Sequence, residues 1–596
     1  MQTTQGLIDN AGGLLATGGD LSFDTQGRNF RSAGGTLVAG GALSIRSADL
    51  DNTGGHLIGT GRVNVQASAV TNTDGEISSQ GDVGVTSQSL LNAGQGKLVA
   101  GGALGIDNAA MLSSSGTLSS GTDIVLNSAS MDNAGKLQSG GGLAVNASQS
   151  LSNTGQILAA GAAQVNAGTF QQSAGATLGA GSDLTITVQG AASNLAGSTI
   201  FSQGSLTLDA ASLRNDGAGI SATKSLSVTV AGGLSNQAGH IQTRDVLAVS
   251  AASVDNSGGT VLASQTLDLT AATGVVNRAG QMASGAALRL QTTGTLDNTD
   301  GQIGSQSAGL TLRAAGLSND GKGVVAARTD LDIAVQSALT NAGSISSGAT
   351  TTLSAGNLSN SGTLQSASLL NVTVAQRLTN RGQIVANGDS TLHAGSLAQD
   401  SGALLASQGK LNVHVDGALS NSGVSVIQSQ GVLQITAASL ANDGSQIASA
   451  GTLNLNATST LSNRSGDIRS ATDLSATAAQ IDNTQGHITS AGALNLQSSG
   501  SLSTAGGTLI AGGTAQFRAD VLDNTAGSIS IGQSLDLQAR QLRNNAAGTI
   551  VAGADANIVA AQLDNSSGVL ASRQVLTVQS DSLNNAGGRL QSLGDA

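Results

Sequence analysis

Residues 50–69 read Leu-Asp-Asn-Thr-Gly-Gly-His-Leu-Ile-Gly-Thr-Gly-Arg-Val-Asn-Val-Gln-Ala-Ser-Ala, and the same order of residue types restarts at Val70. The pattern that the copies share is an apolar residue, an Asn two places later, a Gly, a second apolar residue, a turn of small residues and an alternating apolar segment. About 29 such copies follow one another between Ile8 and Leu583, a period of about 20 residues that is typical of solenoids. Later copies begin at Met131, Leu151, Val254, Ile481 and Leu563.

The alternation within each copy predicts strands. Val63-Asn-Val65, Leu143-Ala-Val145 and Leu453-Asn-Leu455 place apolar side chains at every second position, which points them to one face of a strand. Gly, Asn, Asp and Ser between these segments suit tight turns. We therefore expect an all-β fold, a single elongated parallel β-helix with about one 20-residue repeat per coil. Residues 1–49 should form irregular first repeats and residues 50–596 a continuous shaft.

Composition narrows the class of protein. The 596 residues include no Trp, Tyr, Cys or Pro and only five Phe, so the core must be thin. The 10% charged residues and the regular Leu, Ile and Val argue against disorder. A formal charge of −12 argues against binding to nucleic acid or to an anionic membrane. No apolar run is long enough to predict a membrane-spanning segment.

The repeated Asn shares its strand face with the preceding apolar residue, so it should point inward. A lone buried amide is costly, but stacked copies can bond amide to amide. We expect a structural Asn ladder in which the small or polar residues Ser32, Ser113, Gln172, Gln399 and Thr504 replace the Asn. The predicted ladder comprises Asn52, Asn72, Asn92, Asn133, Asn153, Asn215, Asn236, Asn256, Asn298, Asn319, Asn341, Asn360, Asn380, Asn421, Asn442, Asn463, Asn483, Asn524 and Asn565.

Asp precedes this Asn in several copies, which raises the alternative of calcium binding. Other copies have Ser, Thr, Arg or Ala there, and the known Gly-rich calcium repeat is missing. We therefore predict no metal and no cofactor. The aspartates concerned are Asp51, Asp132, Asp255, Asp297, Asp482, Asp523 and Asp564.

A longer period overlies the first in residues 310–524. There the distance from the start of the alternating segment to the next Asn position alternates between nine and ten residues, as from Leu310 to Asn319 and from Leu331 to Asn341. We expect an approximate two-coil unit in which every second rung has a longer strand or a bulge.

Residues that could carry chemistry are scattered. His56, His240, His393, His414 and His487 lie in separate copies. His393 and His414 are about one rung apart, but two histidines alone make a poor zinc site, so we interpret all five as surface residues. No nucleophile motif with a credible His and acid partner occurs, and we predict no catalytic residue.

One local cluster stands out near the amino-terminal end. Phe23, Phe30, Arg28 and Arg31 could form an exposed adhesive site or an imperfect first rung. A β-helical enzyme acting on polysaccharides is a further alternative, but it would need clusters of Asp, Arg or Lys on one face, and Arg is sparse here.

The repeat can be written as the motif Φ-[DS]-N-x-x-G-x-Φ-x-[SA]-x-G-x-Φ-x-Φ-x-A, where Φ is apolar. This motif resembles the haemagglutinin repeats of filamentous haemagglutinin and of the large exoproteins of contact-dependent growth inhibition systems. The resemblance covers nearly the whole chain. It implies a right-handed β-helix, export through an outer-membrane two-partner secretion pore, and location outside the cell, either secreted or on the bacterial surface.

The resemblance also implies a function. We expect the structural shaft of a filamentous adhesin, and a host-cell or neighbouring-bacterium surface receptor is a possible partner. The stalk of a contact-dependent growth inhibition toxin is the alternative. Met1 is followed directly by repeat-like sequence and the last copy stops at Ala596, so a signal segment, a secretion domain and a toxin domain are not expected within this chain.

Overall fold

The computed structural model describes residues 6–173 and 175–594. The expected start of the repeats at Met1 and the final Asp595 and Ala596 lie outside that range. All regular elements within it are β-strands, and the strands pair in parallel, which confirms the predicted β-solenoid. No helix of the described residues is long and apolar enough to span a membrane. The chain divides into two compact units, Met1–Leu296 and Asp297–Ala596, described one at a time below.

Each copy of the motif forms one coil, or rung, with three strand segments. In the first unit, His56–Gly59 pairs in parallel with Glu76–Ser79 of the next rung, in the register Leu57 opposite Ile77. Val63–Gln66 and Ala69–Thr71 pair in the same way with successive parts of Val83–Asn92. In the second unit Asp467–Ser470 pairs with His487–Ser490, so the predicted repeat of about 20 residues per coil is confirmed.

Within the described residues, the first segment of every rung is a four-residue strand, and there are 14 such strands in the first unit and 15 in the second. These strands are Leu14–Thr17, Thr36–Ala39, His56–Gly59, Glu76–Ser79, Lys97–Ala100, Thr117–Ser120, Lys136–Ser139, Gln156–Ala159, Thr177–Ala180, Thr199–Ser202, Gly219–Ala222, His240–Thr243, Thr260–Ala263, Gln281–Ser284, Gln302–Ser305, Val324–Ala327, Ser344–Ser347, Thr363–Ser366, Gln383–Ala386, Leu404–Ser407, Val426–Ser429, Gln446–Ser449, Asp467–Ser470, His487–Ser490, Thr508–Ala511, Ser528–Ile531, Thr549–Ala552, Val569–Ser572 and Arg589–Ser592.

The second and third segments either stay separate or merge into one long strand. These strands are Ile8–Asp9, Leu21–Asp24, Phe30–Arg31, Leu43–Arg46, Asp49–Asp51, Val63–Gln66, Ala69–Thr71, Val83–Asn92, Leu104–Ser114, Ile124–Asn133, Leu143–Asn153, Ala163–Gln172, Leu184–Asn194, Leu206–Arg214, Leu226–Val230, Gly233–Ser235, Leu247–Asp255, Leu267–Val276, Leu288–Thr292, Thr295–Asp297, Leu310–Ala314, Gly316–Asn319, Leu331–Asn341, Thr351–Asn360, Leu370–Asn380, Ser390–Gln399, Leu411–Val415, Ala418–Asn421, Leu433–Ala437, Ser439–Ala441, Leu453–Ala457, Thr460–Ser462, Leu474–Ala478, Gln480–Asp482, Leu494–Ser498, Ser501–Ser503, Ala515–Asp523, Leu535–Arg543, Ala556–Asp564, Leu576–Gln579 and Ser582–Asn584.

The core is a set of apolar columns, each one side chain deep. Leu57, Val63, Val65 and Val70 of one rung are each buried to 1% exposure or less, and their partners on the next rung occupy the same inward positions. Burial of each such side chain contributes on the order of 1.5–3 kcal/mol. Three segments of aliphatic residues fill this narrow interior, which explains why the chain uses almost no aromatic residues.

Strand length alternates where the long strands are continuous. In the second unit the strands Leu331–Asn341 and Leu370–Asn380 have 11 residues, whereas Thr351–Asn360 and Ser390–Gln399 have 10. Each pairing contains a register shift where the longer strand accommodates its extra residue. The same alternation runs from Val83 to Asn194 in the first unit, a stretch where the sequence had not suggested it.

The Gly three residues after the ladder Asn has a steric reason. At Gly239 an added Cβ would lie 2.0 Å from the Asn215 carbonyl oxygen and 2.6 Å from Oδ1 of Asn236. A Cβ added at Gly259 or Gly486 would likewise lie 2.0 Å from the carbonyl oxygen of the Asn on the previous rung and 2.7–2.8 Å from Oδ1 of the Asn on its own rung. Only glycine, which has no Cβ, therefore fits at this turn position, where the backbone packs against the asparagine of the previous rung.

We predict that Gly239→Ala destabilises the chain by about 1–3 kcal/mol, because the methyl group would push two rungs apart. Gly105→Ala is the matched control: Gly105 lies in a strand, and nothing lies within 4 Å of its added Cβ. The control should change the free energy of unfolding by less than about 0.5 kcal/mol. Urea unfolding followed by circular dichroism measures both. Equal effects of the two substitutions would contradict the steric account.

Candidate functional site

The repeated asparagines line up inside the coil. All 19 predicted ladder residues have an exposed fraction between 0 and 2%. In Asn236, for example, Nδ2 donates to Oδ1 of Asn256 on the next rung at 2.7 Å. At least seventeen such Asn-to-Asn bonds, 2.6–2.8 Å long, connect neighbouring rungs.

Backbone carbonyl groups complete the environment of each amide. Nδ2 of Asn236 also lies 3.2 Å from the carbonyl oxygen of Gly239 in its own turn and 3.1 Å from that of Thr260 on the next rung. One side chain thus contacts its own turn, the amide above and the strand above. A buried polar group with several partners stabilises the structure, whereas an unpaired one costs about 1–3 kcal/mol.

The side-chain hydrogen bonds along this column of asparagines all point in one direction, and the column has gaps. Nδ2 of one rung donates and Oδ1 of the following rung accepts. Where the residue that replaces Asn does not donate to the next rung, Oδ1 of the next amide therefore has no donor. Oδ1 of Asn52, Asn133, Asn421 and Asn524 is buried and has no hydrogen-bond partner within the described part of the chain.

Each of these unpaired oxygens follows a substituted rung. The substitutions before Asn52, Asn133, Asn421 and Asn524 are Ser32, Ser114, Gln399 and Thr504. Gln172 instead continues the column, because its Nε2 reaches Oδ1 of Asn194 at 3.2 Å.

Two details differ from the sequence-based expectation. The prediction that Ser113 replaces the amide was wrong: Ser113 faces Leu91 in the register, and the buried Ser114 accepts the bond from Asn92. The extra residue of this longer strand shifts the inward position by one. The predicted set also omitted five asparagines at equivalent positions, although the same spacing identifies them. They are Asn10, Asn194, Asn277, Asn544 and Asn585.

Six of the seven aspartates that precede the ladder accept hydrogen bonds within the turn: Asp51, Asp255, Asp297, Asp482, Asp523 and Asp564. Oδ1 of Asp51 accepts hydrogen bonds from the backbone N–H of Thr53 at 3.0 Å and from its hydroxyl at 2.7 Å. Asp255 and Asp523 bind the residue two places later in the same way. This geometry is an Asx turn. It gives the Asp in these copies a structural role in the turn.

The aromatic residues near the amino-terminal end belong to the core. Phe30 is 1% exposed and Phe23 is 8% exposed, and their rings stack with centroids 5.5 Å apart. The alternative that these rings form an exposed adhesive site was therefore wrong. Arg31 of the same segment points outward, 3.8 Å from both Asp9 and Asp51 on the neighbouring rungs.

The five histidines are all exposed, and two of them meet. His393 and His414 lie opposite each other in adjacent strands, with ring centroids 5.0 Å apart. Asp416 joins them, and its hydrogen bond from His393 lowers the pKa of this carboxyl group. His56 contacts Glu76, whereas His240 and His487 each contact a threonine hydroxyl on the next rung.

Several outward carboxylates also link rungs. Burial alone would raise the pKa of Asp216, but hydrogen bonds from the Ser235 hydroxyl, the Arg214 guanidinium and the Gln237 backbone N–H outweigh burial and lower that pKa. The same competition lowers the pKa of Asp482, where Thr484 and Arg464 are the donors. At Asp536 burial would raise the pKa, but the hydrogen bond from Arg518 contributes to a net lowering of the pKa.

Of the comparisons with known protein families, curated proteins and solved structures, only the comparison with families gave a match. The model of the haemagglutinin repeat matches the chain in twelve overlapping stretches. The searches of curated proteins and of solved structures returned no match. The matched stretches are residues 2–28, 29–87, 86–137, 127–196, 159–238, 225–321, 306–382, 369–423, 385–457, 428–506, 496–546 and 534–595.

We predict that Thr504→Asn stabilises the chain by about 1 kcal/mol, because the new amide can donate to Oδ1 of Asn524 and accept from Asn483. Thr504 is fully buried, and its hydroxyl now receives a 3.3 Å bond from Asn483. Thr514→Asn makes the same change at an exposed turn and should leave the free energy of unfolding unchanged. Unfolding in urea compares the two. A loss of stability in Thr504→Asn would contradict the assignment of the gap.

We also predict acid sensitivity. Because the pKa values of Asp216, Asp482 and Asp536 are lower in the folded chain than the unfolded value of about 3.9, these groups stabilise the fold above about pH 4. That stabilisation is lost as the pH falls through the folded values. The melting temperature should therefore drop between about pH 5 and pH 3. Asp482→Asn, which can still accept from Thr484, should reduce the drop. A melting temperature that stays constant or rises over this range would count against these contacts.

Proposed function

Because the chain belongs to the haemagglutinin repeat family, we propose that it serves as the shaft of a secreted or surface-anchored bacterial filament. The observation that carries the proposal is the unbroken recurrence of the same rung in each unit. Inward positions repeat one after another, as the amides from Asn421 to Asn483 do. A solenoid built in this way extends by adding rungs, each of which needs contacts only with its neighbours.

The chemistry of the rung favours a mechanical role over a catalytic one. The buried polar side chains are used for contacts between rungs, and the Asp of an Asp-Asn pair accepts hydrogen bonds within its own turn. In this proposal a receptor on a host cell or a neighbouring bacterium is bound mainly by regions at the tip of the filament. Export through an outer-membrane two-partner secretion pore is part of the same proposal, and it rests on the family.

A stalk of a contact-dependent growth inhibition toxin would require the same rungs. The rungs alone therefore support both versions of the proposal, which differ in what the filament carries. In the adhesin version the filament attaches cells. In the toxin version it presents an inhibitory domain to a neighbouring cell.

Matched deletions test the shaft. Removing residues 331–369 joins Asp330 to Leu370, and removing residues 124–162 joins Asp123 to Ala163, so each deletion takes out two rungs in phase. We expect each deletion to shorten the filament equally, by about 10 Å, and to leave attachment of filament-bearing cells to target cells unchanged. Electron microscopy measures the length, and a cell-binding assay measures attachment.

The pair of deletions also identifies an adhesive segment if one exists. Loss of attachment with one deletion and not with the other would contradict a pure shaft and assign binding to the deleted rungs. Growth of the contacted cells, counted in the same assay, separates the two versions of the proposal, because only the toxin version predicts inhibition.

A further inference from the structure

His393, His414 and Asp416 form a compact cluster on the outside of the second unit. Oδ1 of Asp416 lies 3.1 Å from Nε2 of His393 and 3.3 Å from Nε2 of His414. One ligand atom from each of the three residues lies within 4.8 Å of the others. All three side chains are about half exposed, with values from 47 to 59%, so the cluster is open to solvent.

The strand register creates this cluster. His393 lies in Ser390–Gln399 and His414 in Leu411–Val415, and the parallel pairing places the two residues opposite each other. Their chain neighbours Leu392 and Val413 are fully buried, which fixes both imidazoles on the outer face. Asp416 follows directly after the second strand. Ligands held by paired strands are positioned more rigidly than ligands on loops.

The separations are of the size expected between ligand atoms of one metal ion. With metal–nitrogen and metal–oxygen bonds of about 2.0–2.2 Å, tetrahedral ligand atoms lie about 3.3–3.5 Å apart. The two Nε2–Oδ1 separations, 3.1 and 3.3 Å, are close to this value. Two imidazoles and one carboxylate are also the ligand set of several zinc sites, in which a water molecule occupies the fourth position.

The outward residues in register with the two histidines on the adjacent rungs carry no charge. They are Thr373 on the rung before and Thr436 on the rung after. Each of the other three histidines faces residues of other types on the adjacent rungs, whereas His393 faces His414. His240 and His487 each face a threonine hydroxyl, at 2.8 and 2.7 Å.

We propose that His393, His414 and Asp416 form a binding site for one divalent transition-metal ion of the Zn²⁺ class. Nε2 of each histidine and a carboxylate oxygen of Asp416 are the protein ligands, and the fourth position is open to water. Because the ligands come from two rungs, the ion links those rungs. Imidazole and carboxylate ligands also suit Cu²⁺ and Ni²⁺. Among these ions, such sites generally bind Cu²⁺ most tightly.

Calorimetric titration of the untagged chain with Zn²⁺ tests the site. We expect saturable binding of one ion per chain at micromolar Zn²⁺. His393→Gln and His414→Gln should each weaken binding by at least about 100-fold, since loss of a ligand exceeds the roughly 10–100-fold effect of losing an outer-shell partner. Asp416→Asn should also weaken binding. His487→Gln removes an exposed histidine of the same kind and should leave binding unchanged.

Hydrogen exchange of the unaltered chain gives a readout that needs no variant. Zn²⁺ should slow exchange in Ser390–Gln399 and Leu411–Val415 and leave His487–Ser490 unchanged. No saturable binding at micromolar Zn²⁺ would overturn the proposal. So would binding that survives in His393→Gln and His414→Gln, or protection that is not confined to these strands. None of these outcomes depends on whether the chain is a shaft, because attachment to cells is not measured.

Discussion

The structure depends on one hydrogen bond, from Nδ2 of a buried asparagine to Oδ1 of the asparagine on the next rung. In a stacked coil the neighbour above an inward side chain is the equivalent residue of the next copy. An amide suits this position because it has a donor at one atom and an acceptor at the other, so identical residues satisfy each other in series. A hydroxyl or an apolar residue cannot extend the series in the same way.

This constraint explains other features of the repeat. Gly239 and its equivalents are needed because the turn must approach the asparagine of the rung below. The period stays near 20 residues because a change in coil length would displace the amide from its partner, and the rungs with an extra residue absorb it in a register shift away from the column. Aliphatic columns beside the amides complete an interior too narrow for most aromatic side chains.

Much of this architecture could be predicted from the sequence, because the same residue pattern recurs in many copies. The alternation of Val63 and Val65 predicted the strand face, and the spacing of Asn52 and Asn72 predicted that they meet. Features that occur once were harder to predict. Ser113 was chosen in place of Ser114 because one extra residue changes the parity of the strand.

The cluster around Asp416 was missed for a similar reason. Spacing brings His393 and His414 near each other, but Asp416 has no fixed place in the motif, and its position depends on how the strand ends. The unpaired oxygens at the column gaps also escape sequence reasoning. They depend on the direction of each hydrogen bond and on how far Gln172 or Gln399 reaches.

The division between inside and outside suggests how such a chain diversifies. Inward positions are constrained by the rungs above and below, whereas outward positions such as those of His393, His487 and Arg31 can change without disturbing the column. Specific binding sites on this fold are then expected where the register aligns unusual outward residues on adjacent rungs.

A double-substitution cycle on neighbouring ladder residues tests the central claim most directly. Asn236→Ala, Asn256→Ala and the double variant should have a coupling energy within the range of about 0.5–3 kcal/mol that contacting residues show, measured as the opening free energy of these rungs by hydrogen exchange. The separated pair Asn236 and Asn463 should show additive effects. Additive effects for the neighbouring pair as well would contradict the account, because the amide of one rung would then not depend on the next.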